Sequence, residues 1–148
     1  MTRQELLEFM QSHSLVVQTS VSASSAPQAA VVGAVVTDRF EIVFDTLETT
    51  RKALNLRRNP KFALVLGGLT GGDERTVQYE GLADQPEGEE LERLKELYFV
   101  RFPDGRERQK WPGLIYLRVR PTWIRYSDYN VNPPVIIEWR QADLNHEH

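Results

Sequence analysis

Apolar and polar positions alternate in short blocks along most of the chain, and the period of each block predicts its element. Thr2 and Glu5 have the spacing of a capping box, and Leu6, Leu7, Phe9 and Met10 supply one apolar face of a short helix. Leu15 to Val21 is rich in β-branched residues and reads as a strand. The turn cluster Ser22 to Pro27 follows, so Gln28 to Val36 returns as the second arm of a hairpin. That arm is apolar almost throughout, as expected of a strand covered on both faces. Thr37-Asp38-Arg39 turns the chain into a third strand, Phe40 to Phe44, and the short connections predict a meander.

Between Thr49 and Asn59 the period changes. Thr49 or Thr50 caps a short helix with apolar Ala53, Leu54 and Leu56, and Asn59-Pro60 stops it. Phe62 to Leu66 and Thr76 to Ala83 are strands, joined by the loop Gly67 to Gly72. Pro86 opens a longer helix through about Val100, with Leu91, Leu94, Leu97 and Tyr98 on one face. A charged loop runs from Phe102 to Pro112. Leu114 to Val119 and Thr122 to Tyr126 are the last strands, hinged at Pro121. The pattern is mainly β with short helices, and many short antiparallel strands predict a closed or partly closed barrel.

Length fits this picture without enlarging it. The 148 residues suit a single domain over 1–148, with a core at about 6–127 and a C-terminal tail at 128–148. The chain has no cysteine, which excludes disulfides, thiolate metal sites and a thiol nucleophile. A formal net charge of −3 argues against a nucleic-acid partner. The polar start Met1 to Glu5 lacks a signal-peptide pattern, and the longest apolar stretch, Ala29 to Val36, is too short to span a bilayer. A cytoplasmic location away from membranes is the expectation.

Histidine chemistry has little to work with. His13 follows the first helix, and His146 and His148 sit in the polar tail, so no metal site and no hydrolytic triad is expected. The glycines of 67–72 lack the lysine of a phosphate loop, and Glu87, Glu89, Glu90 and Glu92 read as the solvated first turns of a helix. The stretch Thr46 to Lys52 is different. It joins a buried strand to a helix start, where backbone N–H groups are unpaired. Thr46, Thr50, Arg51 and Lys52 add hydroxyls and cations, the donor set a phosphomonoester needs. Cations in a first helical turn oppose the helix dipole, which hints at an external anion; surface residues of a short helix are the other reading.

Phe44-Asp45-Thr46, Thr50-Arg51-Lys52-Ala53 and Asn59-Pro60-Lys61-Phe62-Ala63-Leu64 resemble a segment of the pyridoxamine 5'-phosphate oxidase-like family. The order of elements agrees from about Leu6 to Ser127. The resemblance implies a six- to seven-stranded antiparallel split β-barrel of the Greek-key, FMN-binding type, and a homodimer with the flavin between subunits. It carries phosphate contacts to Thr46, Arg51 and Lys52, and backbone contacts to Val31 and Val32. Thr76 stands where the family has a Gln, and Arg125, with Tyr126, is placed to reach the partner's flavin. Ala30 and Val35 stand where the family often has Arg and Lys. Phe102 and Arg106 occupy the places of the Arg and Ser that bind substrate phosphate in true pyridoxamine phosphate oxidases, so that reaction is not expected.

The loop cations Arg101, Arg106, Arg108 and Lys110 either attract an acidic ligand or pair with the acidic helix before them. Three functions stay open on these residues. The first is an FMN-dependent oxidoreductase of unknown substrate, using hydride transfer and no identifiable catalytic side chain. The second is a non-catalytic binding protein or sensor for flavin, deazaflavin or haem. The third is a member without cofactor that acts through its dimer surface.

Overall fold

The structure is a computed structural model and describes residues 1–145. His146 and His148 lie outside the described residues. Helix α1 spans Arg3–Gln11, and the predicted capping box forms: Glu5 N–H donates to Thr2 Oγ1 at 3.1 Å, and Thr2 N–H donates to Glu5 Oε2 at 2.7 Å. Leu6, Leu7, Phe9 and Met10 are all buried, so the helix is held by one apolar face.

Strands β1 (Leu15–Val21), β2 (Pro27–Gly33), β3 (Val35–Val36) and β4 (Ile42–Leu47) follow, then helix α2 (Arg51–Arg58). Next come β5 (Lys61–Gly67), β6 (Arg75–Asp84), helix α3 (Gly88–Arg101) and the short α4 (Gly105–Arg108). The chain then forms β7 (Leu114–Asp128), β8 (Val135–Arg140) and α5 (Gln141–Leu144). The antiparallel pairing order is β2-β1-β5-β6-β7-β4-β3, with β8 also on β7. Its two end strands, β2 and β3, are separated in the chain by Ala34 alone. The sheet therefore curls until its ends share one bent run, as the predicted barrel requires.

Helix α2 carries the chain from β4 to β5, which are not neighbours in the sheet, and it packs on β1 and β6. That crossing sets its first turn beside β1 and β2. The main core includes Phe40, Ile42, Phe44, Leu64, Tyr79 and Ile124, and a second cluster around Leu94, Tyr98, Phe99 and Tyr116 fixes α3 to the outside of β4 and β7.

Four expectations need correction. The second arm is not covered on both faces, because β2 ends the pairing order and its outward side chains have no layer above them in one chain; Val31 is 65% exposed. The strands at Leu114 and Thr122 are one strand, because a bulge opposite Glu80 and Gly81 absorbs Pro121 without breaking the ladder. Gly81 is required there, since a Cβ would stand 2.4 Å from the Arg120 carbonyl oxygen. The tail from 128 contains β8 and α5, whose Trp139 and Leu144 enter the main core. In α2 the buried face is Ala53, Asn55 and Leu56, while Leu54 is exposed. Among the described residues no helix is long and apolar enough to cross a membrane.

Candidate functional site

The first turn of α2 is built by Thr50. Its Oγ1 accepts from Ala53 N–H at 3.3 Å, and its own proton goes to the Leu47 carbonyl at 2.9 Å. A hydroxyl has one proton, so in the 2.9 Å contact between the two threonines Thr46 is the donor and Thr50 the acceptor. Thr50 is thus committed to the cap. Thr46, 7% exposed at the end of β4, can redirect its proton without uncapping the helix. Ala53 N–H is answered by the cap and Leu54 N–H by the Thr50 carbonyl at 3.0 Å. The N–H groups of Arg51 and Lys52 have no acceptor among the described residues.

These two residues also bring the charge. Neither side chain forms an ion pair among the described residues, although most other cations of the chain do. Partial burial lowers the Lys52 ammonium pKa, which marks a cation short of compensation. Beside them lies a small cavity of about 110 Å³ between α2, β1 and β2. Its uncharged polar lining is Gln18 and Ser20 from β1 and Gln28 from β2, beside Ala29 and Ala30. Buried Asn55 donates to Ser20 Oγ at 3.0 Å and to Gln28 Oε1 at 2.9 Å, and receives Arg58 at 3.0 Å. Gln18 is 2% exposed, and its Oε1 has no partner. A buried acceptor left unpaired costs about 1–3 kcal/mol, so Gln18 Oε1 calls for a donor such as a ligand hydroxyl, not for a phosphate oxygen. Gln18, Ser20, Gln28 and Asn55 were not singled out from the sequence. The signal lies in the alternation of β1, where Gln18 and Ser20 share the inward phase of Val16.

Of the predicted residues, Thr46, Thr50, Arg51 and Lys52 therefore come together, and Ala29 and Ala30 of β2 line the same cavity. Val31 and Val32 continue β2, whose outer edge carries no strand among the described residues, leaving backbone groups free beside the cavity. Thr76 and Arg125 are elsewhere. Thr76, on β6, is three strand spacings along the sheet from β2, roughly 14 Å. Arg125, on β7, is bound to Glu138 and lies over the Trp123 ring. No metal-holding cluster of acidic or histidine side chains occurs among the described residues.

The charged loop resolves into pairs. Arg106 meets Glu96 at 3.3 Å, Lys110 meets Glu107 at 3.3 Å, and Arg108 reaches Asp45 at 3.0 Å and the Tyr98 hydroxyl at 3.2 Å. Only Arg106 pairs with the acidic helix before the loop; Arg108 pairs with β4, Lys110 pairs within the loop, and Arg101 forms no ion pair among the described residues.

Fold and site can now be set against known proteins. The family model described as pyridoxamine 5'-phosphate oxidase matches residues 2–128. The chain belongs to the pyridoxamine 5'-phosphate oxidase family. A search of curated proteins gave no significant match. Among solved structures, this family member is similar to the heme binding protein from Mycobacterium smegmatis, with TM-score 0.81 and 14% identity over 96% of this chain and 59% of that one. It therefore spans 59% of that relative's length. It is also similar to HutZ, the heme storage protein from Vibrio cholerae, with TM-score 0.69 and 17% identity over 80% of this chain and 88% of that one. A protein from Clostridium acetobutylicum related to general stress protein 26 gives TM-score 0.70 and 15% identity, covering 96% of each chain. At these identities the likeness is one of fold. This family member keeps the loop departures noted above: the Phe102 ring packs on Tyr98 at 5.0 Å, and the Arg106 guanidinium lies over Phe99 at 4.9 Å.

Proposed function

We propose that this family member is an FMN-binding flavoprotein, and that it works as an oxidoreductase on a small substrate yet to be identified. The observation that carries the reading is the unanswered donor set at α2: two cations and two backbone N–H groups without acceptors among the described residues. That set fits a phosphate monoester. Arg51 and Lys52 would hold the phosphate through side chain and backbone, Thr46 would add a hydroxyl, and Thr50 would keep the helix start in place. The free edge of β2 at Val31 and Val32 offers backbone groups to the rest of the nucleotide. When bound, FMN supplies the hydride chemistry, and the chain binds, orients and shields it.

The same proposal includes a homodimer. Paired positions across the sheet put Val31, Val17 and Val65 in one outward row that continues through Gln78 to Arg125. A second copy on this face would bury the exposed apolar half and bring Thr76 and Arg125 of the partner towards the nucleotide.

Titration with FMN, followed by flavin fluorescence, tests the reading. The protein is expected to take up FMN and colour yellow. Arg51→Ala and Lys52→Ala should each weaken binding roughly tenfold or more, since charge-assisted bonds are worth about 1.5–3 kcal/mol. No uptake, or unchanged affinity in both variants, would remove the site. A haem absorption band in place of flavin would favour the haem reading, which draws on the two haem proteins of the same fold. Bound FMN that no reduced nicotinamide nucleotide reduces would favour the non-catalytic reading.

A further inference from the structure

A second and larger cavity, about 550 Å³, opens between α1, the turn from Thr37 to Glu41, and α3. It shares no residue with the α2 cleft. Its volume is in the range of small-molecule sites. One side is cationic, with Arg3 from α1, Arg39 from the turn and Arg93 from α3. The other is apolar, with Val35 of β3 and with Leu97 and Val100 of α3, which are 40% and 79% exposed.

The charges around it do not balance locally. Glu41, 5% exposed, accepts from Thr37 Oγ1 at 3.1 Å and lies 3.6 Å from Arg118 and 3.9 Å from Arg93. Arg93 is bound in turn to Glu90 at 2.7 Å. Those groups are answered. Among the described residues Arg3 is not: there it meets only the carbonyls of Asp38 at 3.1 Å and Leu144 at 3.4 Å and the ring of Phe40 at 4.8 Å, and its buried Nε has no partner. Arg39 forms no ion pair among the described residues, and the exposed Asp38 carboxylate at the mouth forms none either. Two guanidinium groups that form no ion pair among the described residues thus flank a concave surface with an apolar wall.

The turn that presents Arg39 is also strained. Phe40 has φ +60°, in the left-handed region a bulky side chain avoids, yet it is fully buried. Tyr79 Oη donates to its carbonyl at 2.8 Å, which helps to fix the conformation. A strained residue held rigidly beside a cavity is a common mark of a binding site.

We propose that this cavity is a second ligand site, for a small organic anion that carries one carboxylate and an apolar chain or ring. The carboxylate lies between Arg3 and Arg39, and the apolar body covers Leu97 and Val100. Calorimetric titration of the full chain with octanoate tests this, with acetate and 1-octanol as the probes that lack one half of the ligand. Octanoate should bind, and each comparator should bind at least roughly tenfold more weakly. Arg39→Ala removes an exposed, unpaired cation and should cost roughly tenfold in octanoate affinity. Val100→Asp puts a charge under the apolar body at an exposed position and should weaken octanoate as well. Both variants should keep the wild-type FMN affinity, which separates this site from the α2 cleft. No heat from octanoate at millimolar concentration, or wild-type octanoate affinity in both variants, would overturn the proposal.

Discussion

The α2 cleft and the seam between α3 and the barrel both gather charge, and they treat it in opposite ways. In the seam, Arg118 of β7 is 5% exposed and its guanidinium donors meet carboxylates: Asp84 at 2.9 and 2.7 Å, Glu90 at 2.9 Å, with Glu41 at 3.6 Å. In the cleft, among the described residues, Arg51 and Lys52 face no carboxylate, and the buried Gln18 Oε1 has no donor. A charge answered inside the chain holds elements together. A charge left open at a concave surface has its partner outside. Residue type does not distinguish the two; the accounting of partners does.

The comparison breaks most visibly at Arg118. Arg118→Met breaks the buried pair with Glu41 from one side, which costs about 3–5 kcal/mol, while Asp84 keeps Arg120 and Glu41 keeps Arg93 at 3.9 Å. Urea denaturation should show a loss of that size, while the folded fraction keeps its FMN affinity. A loss below about 1 kcal/mol would place this pair among surface salt bridges and end the contrast.

Gln18 gives the next largest effect, with opposite signs for stability and binding. Gln18→Leu removes a buried acceptor that has no donor among the described residues, so the ligand-free chain should gain about 1 kcal/mol or more in the same denaturation experiment. FMN affinity should fall, because the group that awaited the ligand is gone. A variant less stable without ligand would mean that Gln18 serves the core of the barrel and not the cleft.

How much of this was legible differs by region. The start of α2 could be read from Thr50, Arg51 and Lys52, because capping and charge are local properties of a few adjacent residues. The floor of the cleft could not, because Gln18, Gln28 and Asn55 are far apart in the chain and meet only after β1, β2 and α2 have packed. The role of Thr50 was half legible: its place at the helix start follows from sequence, but the commitment of its single proton to Leu47 needs coordinates. Strand β8 was missed although Val135 to Arg140 is rich in β-branched residues, because the turn-forming stretch before it resembles the beginning of a tail. The apolar run Gln28 to Val36 reads as one strand covered on both faces, but the chain bends at Ala34 into β2 and β3 at opposite ends of the pairing order, and an apolar run does not show where a strand bends or what covers it. The loop cations were undecided until their acids were located in space.

The smallest effect lies in the pH dependence of Lys52, and its sign is the informative part. Burial without a counter-charge lowers its pKa in the folded chain below the ordinary 10.5. Between those two values Lys52 binds more protons in the unfolded chain than in the folded one, so its own contribution to stability rises with pH across that window, against the fall contributed by the buried tyrosines Tyr79, Tyr98 and Tyr116. Below the window both states are protonated, and the cost of the half-buried charge is fully present. The rise is read as the difference between the wild-type and Lys52→Met curves, and the variant should lift the ligand-free chain slightly at neutral pH. A bound phosphate supplies the missing counter-charge and moves the Lys52 pKa back up, so the rise should flatten when FMN is present. Denaturation midpoints measured from neutral pH to 10.5, with and without FMN, read both effects. A rise of equal slope in the two series would mean that the anion sits away from Lys52, and Arg51 would then carry the phosphate alone.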